Sequence, residues 1–149
     1  MSSSFQGEAA RKRVGEGLLE SAMFKLDQID HVALTVSNVQ RSITWYRDVL
    51  GLERLFEEVW GDYPAVVCAG STCLALFPPD TDRPIPTPDH NTIAIRHLAF
   101  RVDRTNFEQA QIDLRQRGIE FEFEDHTLSH SIYLYDPDGH RIEITTYEV

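Results

Sequence analysis

Hydrophobic and polar positions alternate along residues 29–36, which read "IDHVALTV". The alternation separates an apolar side from a side of polar and small residues: Val32, Leu34 and Val36 against His31, Ala33 and Thr35. Alternation with a period of two is typical of a strand that is buried on one face. We therefore predict a strand here, with His31 on the face turned away from the core.

The spacing changes after this strand. Apolar residues at Val39, Ile43, Tyr46 and Leu50 recur at helical intervals, which predicts a helix packed on the apolar side of the strand. Asn38 is the predicted N-cap, and Gly51 the left-handed residue that ends the helix. Short β-type runs then predict three strands, over residues 52–58, 63–69 and 71–77.

The same order of elements returns after a proline-rich stretch. Residues 78–91 hold five of the seven prolines, so they predict a linker. Beyond it, "IRHLAFRV" at 95–102 repeats the first strand, 66 positions later. A helix over 104–117 and strands over 120–124, 131–135 and 141–145 follow. We predict an extension over 1–27 and a domain over 28–148, with module one at 28–77, a linker at 78–92 and module two at 93–147.

Charge narrows the range of partners. The chain carries a formal net charge of -10 and has a pI near 4.9, so it repels phosphate backbones and anionic lipid. We expect no nucleic-acid partner, no membrane association and a cytoplasmic location. Cys68 and Cys73 are too few for a disulfide framework. A turn at Gly70-Ser71 would set them opposite each other on adjacent strands, but we expect both to stay reduced.

Strand parity places His31, His97 and Glu143 on the face away from the helices. The two histidines occupy equivalent positions in the two repeats, and each has a small neighbour on its face, Ala33 or Ala99. Two neutral imidazoles and one carboxylate form a ligand set that holds a divalent transition metal by one face and leaves positions open for chemistry. The sequence therefore predicts a metal site made of these three residues.

Three segments, "IDHVALTVSNVQRSITWYRDVLGLE", "IRHLAFRV" and "SIYLYDPDGHRIEI", together resemble the vicinal oxygen chelate superfamily of glyoxalases, bleomycin resistance proteins and extradiol dioxygenases. The likeness covers residues 27–147. It implies an α+β fold, in which two βαβββ modules form a curved mixed sheet around a metal-binding cavity. It also implies a homodimer and a small-molecule substrate.

The resemblance further implies one metal ligand from the first strand and one from the last strand of each module, which carries over to His31, position 75, His97 and Glu143. Position 75 is an alanine, a departure from the pattern of glyoxalase I. Three ligands, two histidines and a glutamate, resemble the extradiol dioxygenases or the fosfomycin-modifying transferases, and we expect a divalent metal, Fe(II) before Mn(II), Zn(II) or Ni(II). By this likeness Tyr133 hydrogen-bonds the substrate, and His130, or less favourably His126, transfers protons.

We therefore expect an extradiol-type ring-cleaving dioxygenase that acts on a small catechol-like substrate. One alternative is a metal-dependent transferase or isomerase, of the fosfomycin-modifying or glyoxalase-like kind. Ala33 counts against the fosfomycin-modifying transferases, because they resemble this pattern but carry a threonine at that position. The other alternative is a metal-free drug-binding module.

Overall fold

The computed structural model describes residues 24–149, so most of the predicted N-terminal extension lies outside the described residues. Each module contains one long helix and four strands. Module one comprises β1 (His31–Thr35), α1 (Val39–Leu50), β2 (Glu53–Leu55), the short helix α2 (Glu57–Trp60), β3 (Ala65–Ala69) and β4 (Thr72–Phe77). Module two comprises β5 (Leu98–Arg101), α3 (Arg104–Gln116), β6 (Glu122–Asp125), β7 (His130–Tyr135) and β8 (Arg141–Thr146).

The strands form two four-stranded mixed sheets, in the orders β1-β4-β3-β2 and β5-β8-β7-β6. In each sheet the first and last strands of the module pair in parallel, and the other pairs are antiparallel. The predicted α+β fold of two βαβββ modules is therefore confirmed. Within residues 24–149, none of the helices is both long and apolar enough to cross a membrane.

One predicted strand is shorter than expected. The interpretation of 52–58 as a single strand is wrong, because β2 ends at Leu55 and helix α2 begins at Glu57. Between them Phe56 adopts a left-handed backbone, with φ of 65°, which turns the chain out of the extended conformation that a ladder needs. The β-type residues of this run therefore continue as a helical turn.

The helix ends follow their capping residues. The Asn38 side chain accepts a hydrogen bond of 2.9 Å from the Arg41 backbone N–H, and Gly51 ends α1 with φ of 71°, as predicted. Asp103 caps α3 in the same way, accepting from the Asn106 backbone N–H at 2.8 Å. These caps fix the residues at which α1 begins and ends and at which α3 begins.

The helices and the sheet faces that they cover share one hydrophobic core across both modules. It includes the buried residues Val36, Ile43, Leu76, Phe107, Leu114 and Ile142. Tyr46, fully buried on α1, donates a hydrogen bond of 2.7 Å to Asp136 Oδ2 in the β7–β8 turn. Burial, followed by the nearby Asp136 carboxylate, raises the pKa of this tyrosine. Module one is thereby attached to module two by a polar contact within the core.

The cysteines are joined, so the prediction that both stay reduced differs from the structure. Cys68 and Cys73 form a disulfide, since the β3–β4 hairpin pairs the two residues directly. The register follows from the turn at Gly70, which has φ of 59°. Cys68 and Cys73 therefore lie opposite each other on adjacent strands, as predicted, but they form a disulfide where two free thiols were expected.

Candidate metal centre

His97 and Glu143 meet on the sheet face that is turned away from the helices, which we call the site face. The Nε2 atom of His97 lies 2.8 Å from Oε2 of Glu143. Glu143 is held in the ladder by Ala99 on β5 and Tyr133 on β7, and its side chain is only 10% exposed. The parity argument that placed these two residues together is consistent with this geometry.

The spacing of the two atoms suits a shared metal ion. Imidazole nitrogen and carboxylate oxygen bind transition metals at roughly 2.0–2.2 Å, so two neighbouring ligand atoms at right angles lie about 3 Å apart. A 2.8 Å separation of two potential ligand atoms is close to that value. A direct hydrogen bond between the imidazole and the carboxylate has this length as well, and the two donor types, imidazole nitrogen and carboxylate oxygen, are ones with which His97 and Glu143 would hold a divalent metal ion.

The other carboxylate oxygen of Glu143, Oε1, accepts a hydrogen bond from a buried serine. Ser131, fully buried on β7, donates a hydrogen bond of 2.6 Å to Oε1 of Glu143, and its Oγ lies 3.0 Å from Oγ1 of Thr145. Because Oε1 is occupied by this bond, Oε2 is left facing His97. Sequence reasoning missed Ser131, although it precedes Tyr133 by two residues and therefore shares its face.

Tyr133 lies beside the pair. Its ring centroid is 5.7 Å from that of His97, and its hydroxyl is hydrogen-bonded to Nε2 of His126 at 3.0 Å. Burial raises the pKa of Tyr133, and the carboxylates of Glu143 and Glu124 raise it further. The phenol is therefore protonated at neutral pH.

His31 is not brought to this pair. It lies on β1 in the other sheet, where its Nδ1 contacts Oδ2 of Asp30 at 2.8 Å and its side chain is 50% exposed. Across residues 24–149, no three His, Cys, Asp or Glu side chains are grouped so that they could hold a metal ion. The predicted three-ligand set is therefore divided, with two residues in module two and one in module one.

His130, the favoured proton-transfer residue, is also away from the site face. It alternates with Ser131 along β7, so its ring points to the opposite side and lies 5.3 Å from the Phe123 ring and 6.5 Å from that of Phe107. His126, the less favoured alternative, instead contacts Tyr133. The left-handed backbone at Thr127, with φ of 72°, belongs to the turn that carries His126 back toward β7.

Position 75 supplies no ligand. Ala75 is 4% exposed and packs with Val66 and Cys68 on the site face of module one. Among the described residues, that face therefore carries apolar and sulfur side chains between His31 and Glu53.

A cavity of about 680 Å³ opens next to His97, between β1 and the segment that leads into β5. Its wall includes Ala33, Thr35, Arg96, His97, Tyr135 and Arg141. Arg141 stacks over the Tyr133 ring, with its guanidinium carbon 4.1 Å from the centroid. A cavity of this size accommodates a small molecule, and its wall carries two basic side chains, Arg96 and Arg141, as well as the acidic Asp89.

Comparisons with known proteins agree with this architecture. The model of the Glyoxalase/Bleomycin resistance protein/Dioxygenase superfamily matches residues 28–144. A metallothiol transferase FosB from Staphylococcus epidermidis is 33% identical over 121 residues, which cover 79% of this chain and 82% of the relative.

A catechol-2,3-dioxygenase from Bacillus subtilis is 28% identical over 117 residues, which cover 78% of this chain but 40% of that protein. The crystal structure of a glyoxalase/dioxygenase from Nostoc punctiforme superposes with a TM-score of 0.72 at 29% identity, covering 85% of this chain and 94% of that one.

Proposed function

Because the chain belongs to the Glyoxalase/Bleomycin resistance protein/Dioxygenase superfamily, we propose that it is a metal-dependent transferase that joins a thiol to a small electrophilic molecule. The observation that carries this proposal is the 2.8 Å approach of His97 Nε2 to Glu143 Oε2 on the site face. The 33% identical metallothiol transferase favours group transfer, which was the alternative to ring cleavage in the sequence interpretation.

The metal would be held by His97 and Glu143, with His31 as the third ligand. A mixed set of imidazole nitrogen and carboxylate oxygen suits Fe(II), Mn(II), Zn(II) and Ni(II). When bound, such an ion supplies Lewis acidity that polarises an oxygen of the substrate. Redox activity of the ion is not needed for this chemistry, so the Fe(II) expected for a dioxygenase is not required.

The third ligand would come from a second copy of the chain. His31 is half exposed and separated from His97 and Glu143 within one chain, whereas two ligands alone rarely retain a metal. In a homodimer with two-fold symmetry, β1 of each copy would lie over module two of the other copy, and two-fold symmetry would complete both sites at once. This arrangement makes dimerisation a condition for metal binding.

The side chains around the pair have separate parts in this proposal. Arg96 and Arg141 on the cavity wall bind a negatively charged group of the substrate. The protonated Tyr133 hydroxyl would donate a hydrogen bond to a substrate oxygen, and His126, 3.0 Å from that hydroxyl, would exchange a proton with it. Ser131 keeps Glu143 in the orientation that ligation needs.

A thiol-consumption assay tests the proposal. The purified protein is loaded with each divalent metal and mixed with a low-molecular-weight thiol and a panel of small epoxides that includes fosfomycin. We expect thiol loss and a thioether product with at least one pair, and no turnover for Glu143→Gln. Glu108→Gln is the matched control, since Glu108 is an exposed carboxylate on α3 that pairs with Arg104.

Thiols that stay unchanged with every metal and electrophile would contradict the transferase. Failure to retain any metal, in protein that folds normally, would instead support the drug-binding module.

A ring-cleaving dioxygenase is the second candidate. It is favoured by the hydrogen bond between Tyr133 and His126, a phenol and an imidazole placed together beside the potential ligands, and by the 28% identical catechol dioxygenase. Oxygen uptake by Fe(II)-loaded protein with a catechol panel tests it. Oxygen consumption with a coloured ring-fission product, and no thiol consumption, would replace the transferase by this reaction.

A further inference from the structure

Four side chains form one row across the site face of module one. The ladder pairs His31 with Cys73, Cys73 with Cys68, and Cys68 with Glu53. Residues that pair directly on neighbouring strands project to the same side of a sheet. The disulfide is therefore the immediate neighbour of His31, on the face where that histidine would bind metal.

The β3–β4 hairpin is held by a hydrogen-bonded ladder as well as by the disulfide. Cys68 and Cys73 are five positions apart, and β3 and β4 already pair over five positions, from Ala65 with Leu76 to Ala69 with Thr72. A cross-link that closes so short a loop removes little conformational freedom from the unfolded chain. We therefore expect the reduced protein to keep the same fold, with two thiols in place of the bond.

The two sulfur atoms differ in access. Cys68 is 3% exposed and packs with Val66 and Ala75, whereas Cys73 is only partly buried at the edge of that cluster. An external thiol or disulfide therefore reaches Cys73 first, and Cys68 is placed to attack from within.

We propose that Cys68 and Cys73 form a redox-active pair that exchanges with low-molecular-weight disulfides, and that its reduced form binds a soft metal ion together with His31. In the oxidising direction, deprotonated Cys73 attacks one sulfur of the external disulfide and releases one thiol. Cys68 then loses its proton and attacks the Cys73 sulfur, which releases the second thiol. The protein dithiol gives up two electrons and two protons, and the external disulfide becomes two thiols.

Reduction of the disulfide changes the metal-binding groups that lie next to His31. In the disulfide neither sulfur is a thiolate, and thiolate is the form that binds metals strongly. After reduction, two sulfur donors and one imidazole follow each other on three adjacent strands. This set favours Zn(II), Cu(I) or Cd(II) over the harder ions that suit His97 and Glu143. The redox state of the cysteine pair thus decides which metal ions His31 would help to bind.

The exchange is independent of the proposed transferase. The soft-metal site and the transferase both require that a metal reaches His31, but Cd(II) binding by the reduced form and thiol consumption report on them separately.

The exchange is tested on the full chain in mixtures of reduced and oxidised glutathione. After quenching, alkylation and mass spectrometry count the free thiols without interference, because the chain has only these two cysteines. We expect dithiol and disulfide forms that interconvert, both with the same cooperative thermal unfolding. Cys68→Ser should accumulate one glutathione on Cys73, and Cys73→Ser should react at least about tenfold more slowly, since Cys68 is buried. Equal reaction rates of the two variants, or a dithiol form that is unfolded, would overturn the exchange.

Metal binding by the reduced form is tested with Cd(II), whose bonds to thiolate absorb in the ultraviolet. The His97→Ala variant is used, because it removes the centre in module two and leaves the row intact. We expect the absorption in reduced His97→Ala, and its loss in the disulfide form and in Cys73→Ser. Adding His31→Asn should weaken Cd(II) binding. Absence of the absorption in reduced His97→Ala would overturn the soft-metal site, whereas a failure of the transferase would leave it unchanged.

Discussion

The Ser131 hydroxyl donates a hydrogen bond of 2.6 Å to Oε1 of Glu143, and this bond leaves Oε2 of the same carboxylate 2.8 Å from Nε2 of His97. The serine is fully buried, so this hydrogen bond is shielded from solvent. The orientation of the potential metal ligand is therefore set by a residue that would not itself bind the metal.

Replacing Ser131 by alanine should weaken metal binding about 10- to 100-fold, because partners behind a ligand contribute to metal affinity on this scale. Calorimetric titration of the metal-free protein measures the change. Ser42→Ala is the matched control, since Ser42 is fully buried and its Oγ has no hydrogen-bond partner among the described residues. An unchanged affinity in Ser131→Ala would show that the hydrogen bond does not orient the ligand.

Complementation between inactive variants tests the shared site. His31→Ala and His97→Ala should each lose stoichiometric metal and activity. In a mixed dimer, one site keeps His97 and Glu143 of one copy and His31 of the other, while the second site loses both histidines. Random mixing should therefore restore about a quarter of the wild-type metal content and activity. If no mixture recovers either, the two-copy site is wrong.

Removing the hydroxyl that links the two modules should destabilise the fold without affecting the metal centre. Tyr46→Phe loses the 2.7 Å hydrogen bond to Asp136 inside the core, which should cost about 1–3 kcal/mol of unfolding free energy. Urea denaturation measures this. Tyr135→Phe is the control, because Tyr135 is 56% exposed and should change stability little.

The raised pKa of Tyr46 also predicts the direction of an alkaline effect. Burial first, and then the Asp136 carboxylate, keep this phenol protonated in the folded state, whereas it ionises near pH 10 once the chain unfolds. Unfolding then releases a proton, so wild-type stability should fall as the pH rises above 10, by about 1.4 kcal/mol per pH unit relative to Tyr46→Phe. Parallel stability curves for the two proteins between pH 9 and 11 would contradict this.

The two histidines near β7 should differ in their effect on catalysis. His126 contacts the Tyr133 hydroxyl, whereas His130 points to the opposite face. His126→Asn should lower kcat by roughly 100-fold, the scale of general acid–base catalysis. His130→Asn should leave kcat close to wild type. Steady-state kinetics of metal-loaded proteins separate them, and the reverse order would restore His130 as the proton-transfer residue.

The sequence alone was sufficient for the repeated βαβββ order, the Asn38 and Gly51 caps, and the faces of His97 and Glu143. These features depend on local periodicity and on backbone preferences that act within a few residues, so they can be read along the chain. The broken strand after Leu55 was missed because the left-handed Phe56 is a local exception that composition does not reveal.

Tertiary structure decided which residues of the two modules meet. Parity puts His31 on the correct face of β1, but it says nothing about the distance between two separate sheets, and the structure keeps His31 apart from His97 and Glu143. It also brought His126, carried by a turn, to Tyr133 in place of His130. Turn conformation and the packing of one sheet against another arise from contacts far apart in sequence, and no pattern along the chain encodes those distances.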